Sequence, residues 1–265
     1  MPLAGGFANA GKVFKVGDTV RRPAGEHAEA VHQLLAHLET VGFAGAPRAL
    51  GFDEHRREVL TWVPGTTYQK GPDLRSPIIP STELASLGCL ICSYHDAVAS
   101  FEPTDGATFA YHPRSEAGTL IAHRDVCLEN VVFRDGEAVA LIDFDFAGPA
   151  DSLWDIAIAA RHFVPIADWR DVDGDSLNAH DVAARVRILT DAYGLDEAEL
   201  PSLVAAIHAY LERGYLGFKA AVDAGSEAHL ELAALGFGER SLRADEWLMT
   251  IADQIAPGSS QLLGG

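Results

Sequence analysis

A group of polar side chains in the middle of the sequence has the residue types and spacing for phosphoryl transfer. His123, Asp125 and Asn130 follow one apolar segment, and Asp143 and Asp145 follow another. In the order HxDxxxxN, the aspartate can orient a substrate hydroxyl and accept its proton. The asparagine and a later aspartate can then hold the magnesium that bridges nucleotide phosphates. The pattern therefore predicts separate roles for the carboxylates, with Asp125 as the base.

The segment between the two acidic groups predicts how they come together. Asn130 is followed by the apolar residues Val131–Phe133, then by Arg134-Asp135-Gly136-Glu137, then by an apolar run to Ile142. An Asp-Gly pair between two apolar strands is a strong hairpin signal. Folding the chain back at this turn would bring Asn130 near Asp143. The alternative, in which these aspartates only cap turns, does not explain the joint occurrence of all the parts.

Three consecutive motifs, HRDVCLEN, LIDFD and AGPADSLWDIA, resemble the aminoglycoside phosphotransferase and choline kinase-like family. The resemblance extends along nearly the whole chain and is specific for the fold rather than for the substrate. It implies that Asp125 is the catalytic base and that Asn130 and Asp143 bind Mg²⁺. It also implies that Asp155 supports the catalytic loop, and His123 is expected to brace the same loop rather than to transfer protons.

The resemblance implies an α+β, two-lobed protein kinase-like fold with a small β-rich N-lobe and a larger helical C-lobe. We assign the nucleotide-binding lobe to residues 1–65 and the hinge and linker to residues 66–80. The catalytic and acceptor-binding lobe is assigned to residues 81–255, and a flexible tail to residues 256–265. A chain of 265 residues of which 48% are hydrophobic can bury a core of this size.

The N-terminal segment carries candidates for contacts with the nucleotide phosphates. Gly5, Gly6 and Asn9 lie in a glycine-rich stretch, which lets backbone amides approach phosphate closely. The third strand of a kinase supplies a lysine at this site. Arg22 stands at the corresponding place here, and Lys15 on the preceding strand is the rival. Arginine keeps the charge but reaches differently, so this choice stays open.

A helix is predicted from about residue 25 to residue 41, where kinases carry a glutamate that pairs with the phosphate-binding cation. Glu26 and Glu29 are available there. The strand EVLTWVPGT resembles the one that leads into the hinge, and the resemblance implies purine contacts from the backbone around Thr61, Trp62 and Val63. Trp62 could wall the nucleotide or fill the core.

The composition limits the classes of molecule that we expect this protein to bind. A formal charge of −18 argues against nucleic acid or an anionic membrane and is compatible with a cationic acceptor. Without a membrane-length apolar run or a signal-peptide pattern, we expect a cytoplasmic protein. Acidic residues in and near the late helices are candidates for binding ammonium groups on the acceptor. The strongest candidates are Asp151, Glu239, Asp245 and Glu246, with Asp171, Asp173 and Asp175 as further ones.

The sequence thus predicts an Mg²⁺-dependent kinase that transfers the γ-phosphate of ATP or GTP to a small, cationic acceptor such as an aminoglycoside. A metabolite kinase of the choline, homoserine or sugar type has the same core. A catalytically silent binding protein is the alternative from another class, because the glycine loop is irregular and the third-strand lysine is missing. The short segment after Asp145 disfavours a protein kinase. The acceptor, the nucleotide and the oligomeric state stay open.

Overall fold

The computed structural model describes residues 12–70, 75–110, 120–172 and 179–263. The N-terminal part is an antiparallel sheet with the strand order β1-β2-β4-β3. Gly17, with φ of 59°, lies in the predicted turn between the first two strands. The strands are β1 (Phe14–Val16), β2 (Thr19–Pro23), β3 (Ala49–Phe52) and β4 (Arg57–Thr61).

Helix α1 (Ala28–Thr40) connects β2 to β3. Its buried face carries Leu34, Leu35 and Leu38, which recur at helical spacing and join the main core. The helix ends before Gly42, whose φ of 82° is the left-handed conformation that commonly follows a helix. This packing fixes α1 beside the sheet.

The predicted catalytic hairpin is present and lies against helix α2 (Ser81–Val98). Its strands are β6 (Val131–Arg134) and β7 (Glu137–Leu141), joined by Asp135 and Gly136 at φ of 54° and 82°. Positive φ at both turn residues is the hairpin geometry that Asp-Gly favours. Strand β5 (Leu120–Ala122) precedes the catalytic loop and pairs with β8 (Gly148–Ala150).

Helices form the rest of the described chain. Their core is continuous with that of α1 and β4. None of the helices in the described ranges is both long and apolar enough to cross a membrane. The helices after β8 are α3 (Ser152–Phe163), α4 (Ala179–Tyr193), α5 (Leu200–Asp223), α6 (Glu227–Ala234), α7 (Phe237–Ile255) and α8 (Ser259–Leu263).

The end of the chain differs from the expected flexible tail over residues 256–265. Residues 259–263 form α8, which contacts α5 and α7. Ser259 is buried and Leu263 packs against the core. Within the terminal segment PGSSQLLGG, Leu263 thus contributes to the core, whereas Leu262 is exposed.

Candidate active site

The buried carboxylate of Asp155, on α3, is hydrogen-bonded to the start of the catalytic loop (residues 123–130). Asp155 accepts hydrogen bonds from the backbone N–H groups of His123 at 2.8 Å and Arg124 at 2.7 Å. His95 of α2 lies with Nε2 3.0 Å from the same carboxylate, and its Nδ1 is 2.9 Å from the Tyr193 hydroxyl. Burial alone would raise the pKa of Asp155, but these partners lower it, so the group stays ionised.

Arg124 links the catalytic loop to the segment that follows Asp143 and Asp145. Its Nε donates to the carbonyl of Phe146 at 2.6 Å, and its Nη2 donates to the carbonyl of Ala110. A Cβ at position 148 would lie 2.5 Å from Nη2, so a larger residue than Gly148 would displace the Arg124 guanidinium. Arg124 resembles the protein-kinase arginine in sequence, and its side-chain hydrogen bonds here include those to the carbonyls of Phe146 and Ala110.

His123 links the loop to the end of β7. Its Nε2 lies 3.0 Å from the carbonyl oxygen of Ile142, which can only accept, so Nε2 carries the proton. Its Nδ1 then accepts from the Asp125 N–H at 3.3 Å. Burial lowers the pKa of His123, and the ring is fully buried. A neutral ring with both nitrogens engaged has a positioning role in this arrangement.

Asp125 and Asn130 face each other across the loop. The Asn130 Nδ2 donates to Asp125 Oδ2 at 2.7 Å, and the Ile142 N–H donates to the Asn130 carbonyl at 2.9 Å. Burial, together with the nearby charge of Asp143, raises the pKa of Asp125 to about 7. A divalent cation bound at Asp143 would lower that pKa, because positive charge favours the ionised carboxylate.

Arg22 of the N-terminal sheet reaches both aspartates that follow β7. Its Nη1 lies 2.6 Å from Asp143 Oδ1, and its Nη2 lies 2.5 Å from Asp145 Oδ1. Burial and the charge of Asp143 raise the pKa of Asp145 to about 6, although Arg22 acts in the opposite direction. Burial would lower the pKa of Arg22, but the carboxylates around it raise it above the usual range. We call Asp125, Asn130, Asp143, Asp145 and Arg22 the transfer site.

The glutamate that pairs with Arg22 lies in β4. The kinase resemblance instead suggested Glu26 or Glu29, of which Glu29 is in α1 and Glu26 precedes it. Glu58 is buried, with Oε2 2.8 Å from Arg22 Nε. The two residues are directly opposite each other in the β2–β4 register. His32 is the α1 residue at this point, with Nε2 3.0 Å from Glu58 Oε1. An arginine and a glutamate on paired strands are a detectable cross-strand signal, which the comparison with kinases obscured.

The oxygen atoms of the transfer site fit a magnesium ion. Asp143 and Asp145 present carboxylates, and the Asn130 amide oxygen is left for a metal because its Nδ2 is turned to Asp125. Magnesium is usually held by one or two carboxylates together with substrate phosphates and water. Within the described ranges, no cluster of three or more His, Cys, Asp or Glu could hold a metal by itself. Phosphate oxygens would therefore have to complete the coordination.

The remaining nucleotide candidates within the described ranges are Lys15, Thr61, Trp62 and Val63. Lys15 places its ammonium 4.1 Å from the centroid of the Trp62 ring, while Arg22 makes the contacts with Asp143 and Asp145. Thr61 ends β4, and Trp62 and Val63 follow it, all partly exposed. The Trp62 N–H donates to the Asp18 carbonyl at 2.8 Å. Gly5, Gly6 and Asn9 lie outside the described residues.

The acidic acceptor candidates that lie in the described ranges have different partners. Asp151 caps α3 by accepting from the Leu153 N–H at 2.9 Å. Asp245 is 2.6 Å from Nδ1 of His208, and Glu239 and Glu246 are exposed on α7. Asp171 is bound by Arg240 and Arg243, while Asp173 and Asp175 lie outside the described residues.

The fold is shared with solved kinase structures. A choline/ethanolamine kinase family protein from Mesorhizobium loti superposes with a TM-score of 0.62 at 17% identity, covering 99% of this chain and 92% of that one. The macrolide 2'-phosphotransferase MphH from Brachybacterium faecium gives 0.57 at 18% identity, covering 88% and 90%. The amicoumacin kinase hAmiN gives 0.59 at 15% identity, covering 95% and 92%. These similarities confirm the predicted two-lobed kinase-like fold.

Sequence comparison assigns the family. The model of the phosphotransferase enzyme family matches residues 107–189, which include the catalytic loop and the hairpin. The chain is also 32% identical over 195 residues to the trifolitoxin immunity protein of Rhizobium leguminosarum bv. trifolii, an alignment that spans 71% of this chain and 72% of that protein. The predicted relationship is confirmed, and the chain belongs to the phosphotransferase enzyme family.

Proposed function

We propose that this protein transfers the γ-phosphate of ATP or GTP to a hydroxyl group of a small-molecule acceptor. Family membership supports phosphoryl transfer in general, and the contacts within the transfer site support active chemistry. The observation that carries the proposal is the joint placement of Asp125 and Asn130, 2.7 Å apart, with Arg22 on Asp143 and Asp145. A protein that had lost catalysis would have no reason to keep these groups in mutual contact.

Each group of the transfer site has a role in this proposal. Asp125 accepts a hydrogen bond from the acceptor hydroxyl and takes its proton as the new bond to phosphorus forms. Asn130 and Asp143 would hold Mg²⁺, with Asp145 as a further oxygen ligand. The metal would neutralise phosphate charge. Arg22 would turn from the aspartates towards the nucleotide phosphates, which its planar guanidinium can bind through two donors.

The direct test measures acceptor-dependent release of ADP or GDP in the presence of Mg²⁺. The acceptors should span aminoglycosides, other antibiotics and small metabolic alcohols, which also separates an antibiotic kinase from a metabolite kinase. Asp125→Ala should lower turnover by roughly 10²- to 10⁴-fold, the usual contribution of a general base, while nucleotide binding is retained. Asp105→Ala, at an exposed turn, is the matched control. Full activity of Asp125→Ala would refute the mechanism.

A protective role is the second candidate, because the relative that is 32% identical is called an immunity protein. In that case the acceptor is a growth inhibitor, and phosphorylation inactivates it. Sensitive cells that express the chain should survive the inhibitor, whereas cells that express Asp125→Ala should not. Protection by both forms would favour the catalytically silent binding protein, since binding alone would then suffice.

A further inference from the structure

A cavity opens between the linker before α2 and the helices α3, α5, α6 and α7. Its volume is roughly 150 Å³, and Lys70, Arg161 and His162 line one side. We call it the basic cavity. An interior space of this size can hold a group about as large as a benzene ring. It would therefore take one part of an acceptor molecule rather than several linked sugar rings.

Two cations reach this cavity without being neutralised there. Within the described ranges, Lys70 makes no ion pair with a carboxylate. The Nη1 atom of Arg161 is buried and has no hydrogen-bond partner among the residues that the structure describes. A buried donor without a partner costs free energy, which a bound acceptor group would recover.

His162 adds a polar atom without adding a charge. Burial, with Lys70 and Arg161 nearby, lowers the pKa of His162 well below its usual range. Its Nε2 lies 3.2 Å from the Tyr210 hydroxyl, and its buried Nδ1 has no hydrogen-bond partner in the described part of the chain. The cavity wall thus offers polar atoms that the protein itself leaves unsatisfied.

Among the described residues, none of the carboxylates near the cavity forms an ion pair with Lys70 or Arg161. Asp171 acts on Arg161 but is shared with Arg240 at 3.2 Å and Arg243 at 2.9 Å, which lie outside the cavity lining. Glu129 affects the Lys70 ammonium but is itself exposed to solvent. None of the expected ammonium-binding residues Asp151, Glu239, Asp245 and Glu246 lines the cavity. The basic cavity therefore contrasts with the net charge of −18 of the whole chain.

The opposite wall of the cavity is aromatic and apolar. Phe218 of α5 packs against Phe237 of α7 with ring centroids 4.9 Å apart, and Tyr215 and Leu232 complete this side. Ligand pockets commonly combine such surfaces with a few polar groups that fix orientation. The pairing of cations with aromatic rings suits an anionic group attached to an apolar or aromatic group.

The Lys70 side of the basic cavity lies near the catalytic loop. Cys127 and Glu129 lie near enough to the Lys70 ammonium to influence its pKa. Residue 66, just before Lys70, pairs with Phe133, with the Phe133 N–H donating to the Thr66 carbonyl at 2.7 Å. The linker therefore runs along the strand that follows Asn130. A ligand held by Lys70 would lie beside the loop that carries Asp125.

We propose that the acceptor is an anionic small molecule, such as a hydroxylated carboxylate with an apolar or aromatic group, whose anionic group binds Lys70 and Arg161 in the basic cavity. This inference rests on the proposed phosphotransferase function and names its substrate class. It replaces the expected cationic acceptor. The cavity presents positive charge, and positive charge would repel an ammonium-rich ligand.

Matched ligands of opposite charge test the proposal by binding alone. We would measure binding of 3-phenylpropionate and 3-phenylpropylamine by calorimetry, since the two probes differ mainly in charge. The carboxylate should bind at least about tenfold more tightly, the effect expected of a charge-assisted hydrogen bond. Lys70→Gln and Arg161→Gln should each remove most of that preference, whereas Lys70→Arg should retain it. Lys219→Gln, at an exposed lysine paired with Asp223, is the control.

Several results would overturn the proposal: equal or tighter binding of the amine, carboxylate binding that both substitutions leave unchanged, or no binding of the carboxylate. Failure of the proposed function has a different signature. In that case the protein binds neither nucleotide, or Asp125→Ala does not change turnover, whatever the probes do. Phosphorylation of an aminoglycoside with no effect of Lys70→Gln would refute the anionic acceptor and uphold the kinase.

Discussion

The transfer site and the basic cavity differ in how their charged groups are paired. In the first, Asp155 accepts two backbone N–H groups and faces His95, and Arg22 contacts three carboxylates. In the second, Arg161 Nη1 and His162 Nδ1 lack hydrogen-bond partners among the described residues. The protein therefore builds its catalytic geometry from its own contacts and leaves the cavity to a ligand. This contrast is what the following predictions test.

The largest loss of stability is expected for Asp155→Ala, because Asp155 of α3 accepts hydrogen bonds from the start of the catalytic loop. Asp155→Ala removes a fully buried acceptor and leaves two backbone donors and His95 unsatisfied. The free energy of unfolding should fall by about 3–5 kcal/mol, as when one partner of a buried ion pair is removed. Denaturant unfolding measures it. Asp151→Ala on the same helix removes only an exposed N-cap and should cost about 1 kcal/mol. Equal costs for both variants would contradict the buried role.

A second, smaller loss is expected where Arg22 joins the N-terminal sheet to Asp143 and Asp145. Arg22→Met leaves Glu58 buried with only His32 beside it and removes the cation between Asp143 and Asp145. Stability should fall by about 2–3 kcal/mol, and nucleotide affinity should drop by about tenfold or more. The neighbouring Arg21, which pairs with Asp53, is the matched control. Arg21→Met should leave nucleotide binding unchanged, and a loss of nucleotide binding in both variants would argue against a specific role for Arg22.

Short-range patterns predicted the hairpin and the local geometry of the candidate site. The hairpin follows from an Asp-Gly turn between two apolar runs, and local spacing alone places Asp125 near Asn130. The relation of Asp155 to the loop came from family resemblance, because α3 follows the loop by many residues. The choice between Arg22 and Lys15 depends on which strand face meets the hairpin, and strand propensity does not contain that information.

Long-range packing explains what the sequence did not reveal. Glu58 meets Arg22 through the register of two strands, and His95 reaches Asp155 from a helix 60 residues away. The basic cavity is assembled from a linker and four helices, so no window of the sequence shows its charge. A chain-wide net charge of −18 does not show the local positive charge that Lys70 and Arg161 bring to this cavity.

We expect a smaller effect at Lys70, a fall in affinity for an anion as the pH rises. Burial, aided by Arg161, lowers the pKa of Lys70 to about 8. The ammonium is therefore present at pH 7 and is largely lost by pH 9, so affinity for an anion should fall as the pH rises through about 8. Within the described ranges, Glu129, Cys127, Arg240 and His162 act on or respond to the Lys70 ammonium, and Tyr210, Tyr215 and His229 line the same cavity.

Binding of 3-phenylpropionate should weaken by several-fold up to about tenfold between pH 7 and pH 9, measured by calorimetry. Direct binding is preferred over turnover because the chemical step involves other titrating carboxylates. Arginine stays protonated over this range, so Lys70→Arg should give a nearly flat profile. A wild-type profile that is flat, or one that Lys70→Arg does not change, would exclude Lys70 as the anion-binding group.

The smallest change in the free energy of unfolding is expected for Arg161→Met. This small change distinguishes the basic cavity from the transfer site, where Asp155→Ala is strongly destabilising. Arg161→Met replaces a cation whose Nη1 is buried without a partner in the described structure. Apolar replacements of buried charged groups are often neutral or stabilising, so the free energy of unfolding should stay within about 1 kcal/mol of the wild type. Asp155→Ala, by contrast, is strongly destabilising, and both variants can be compared in one set of denaturation curves. At the same time Arg161→Met should lose affinity for the carboxylate probe. Stability would then be unchanged while binding is lost, as expected if Arg161 is kept for its ligand; a large loss of stability would instead make it a structural residue.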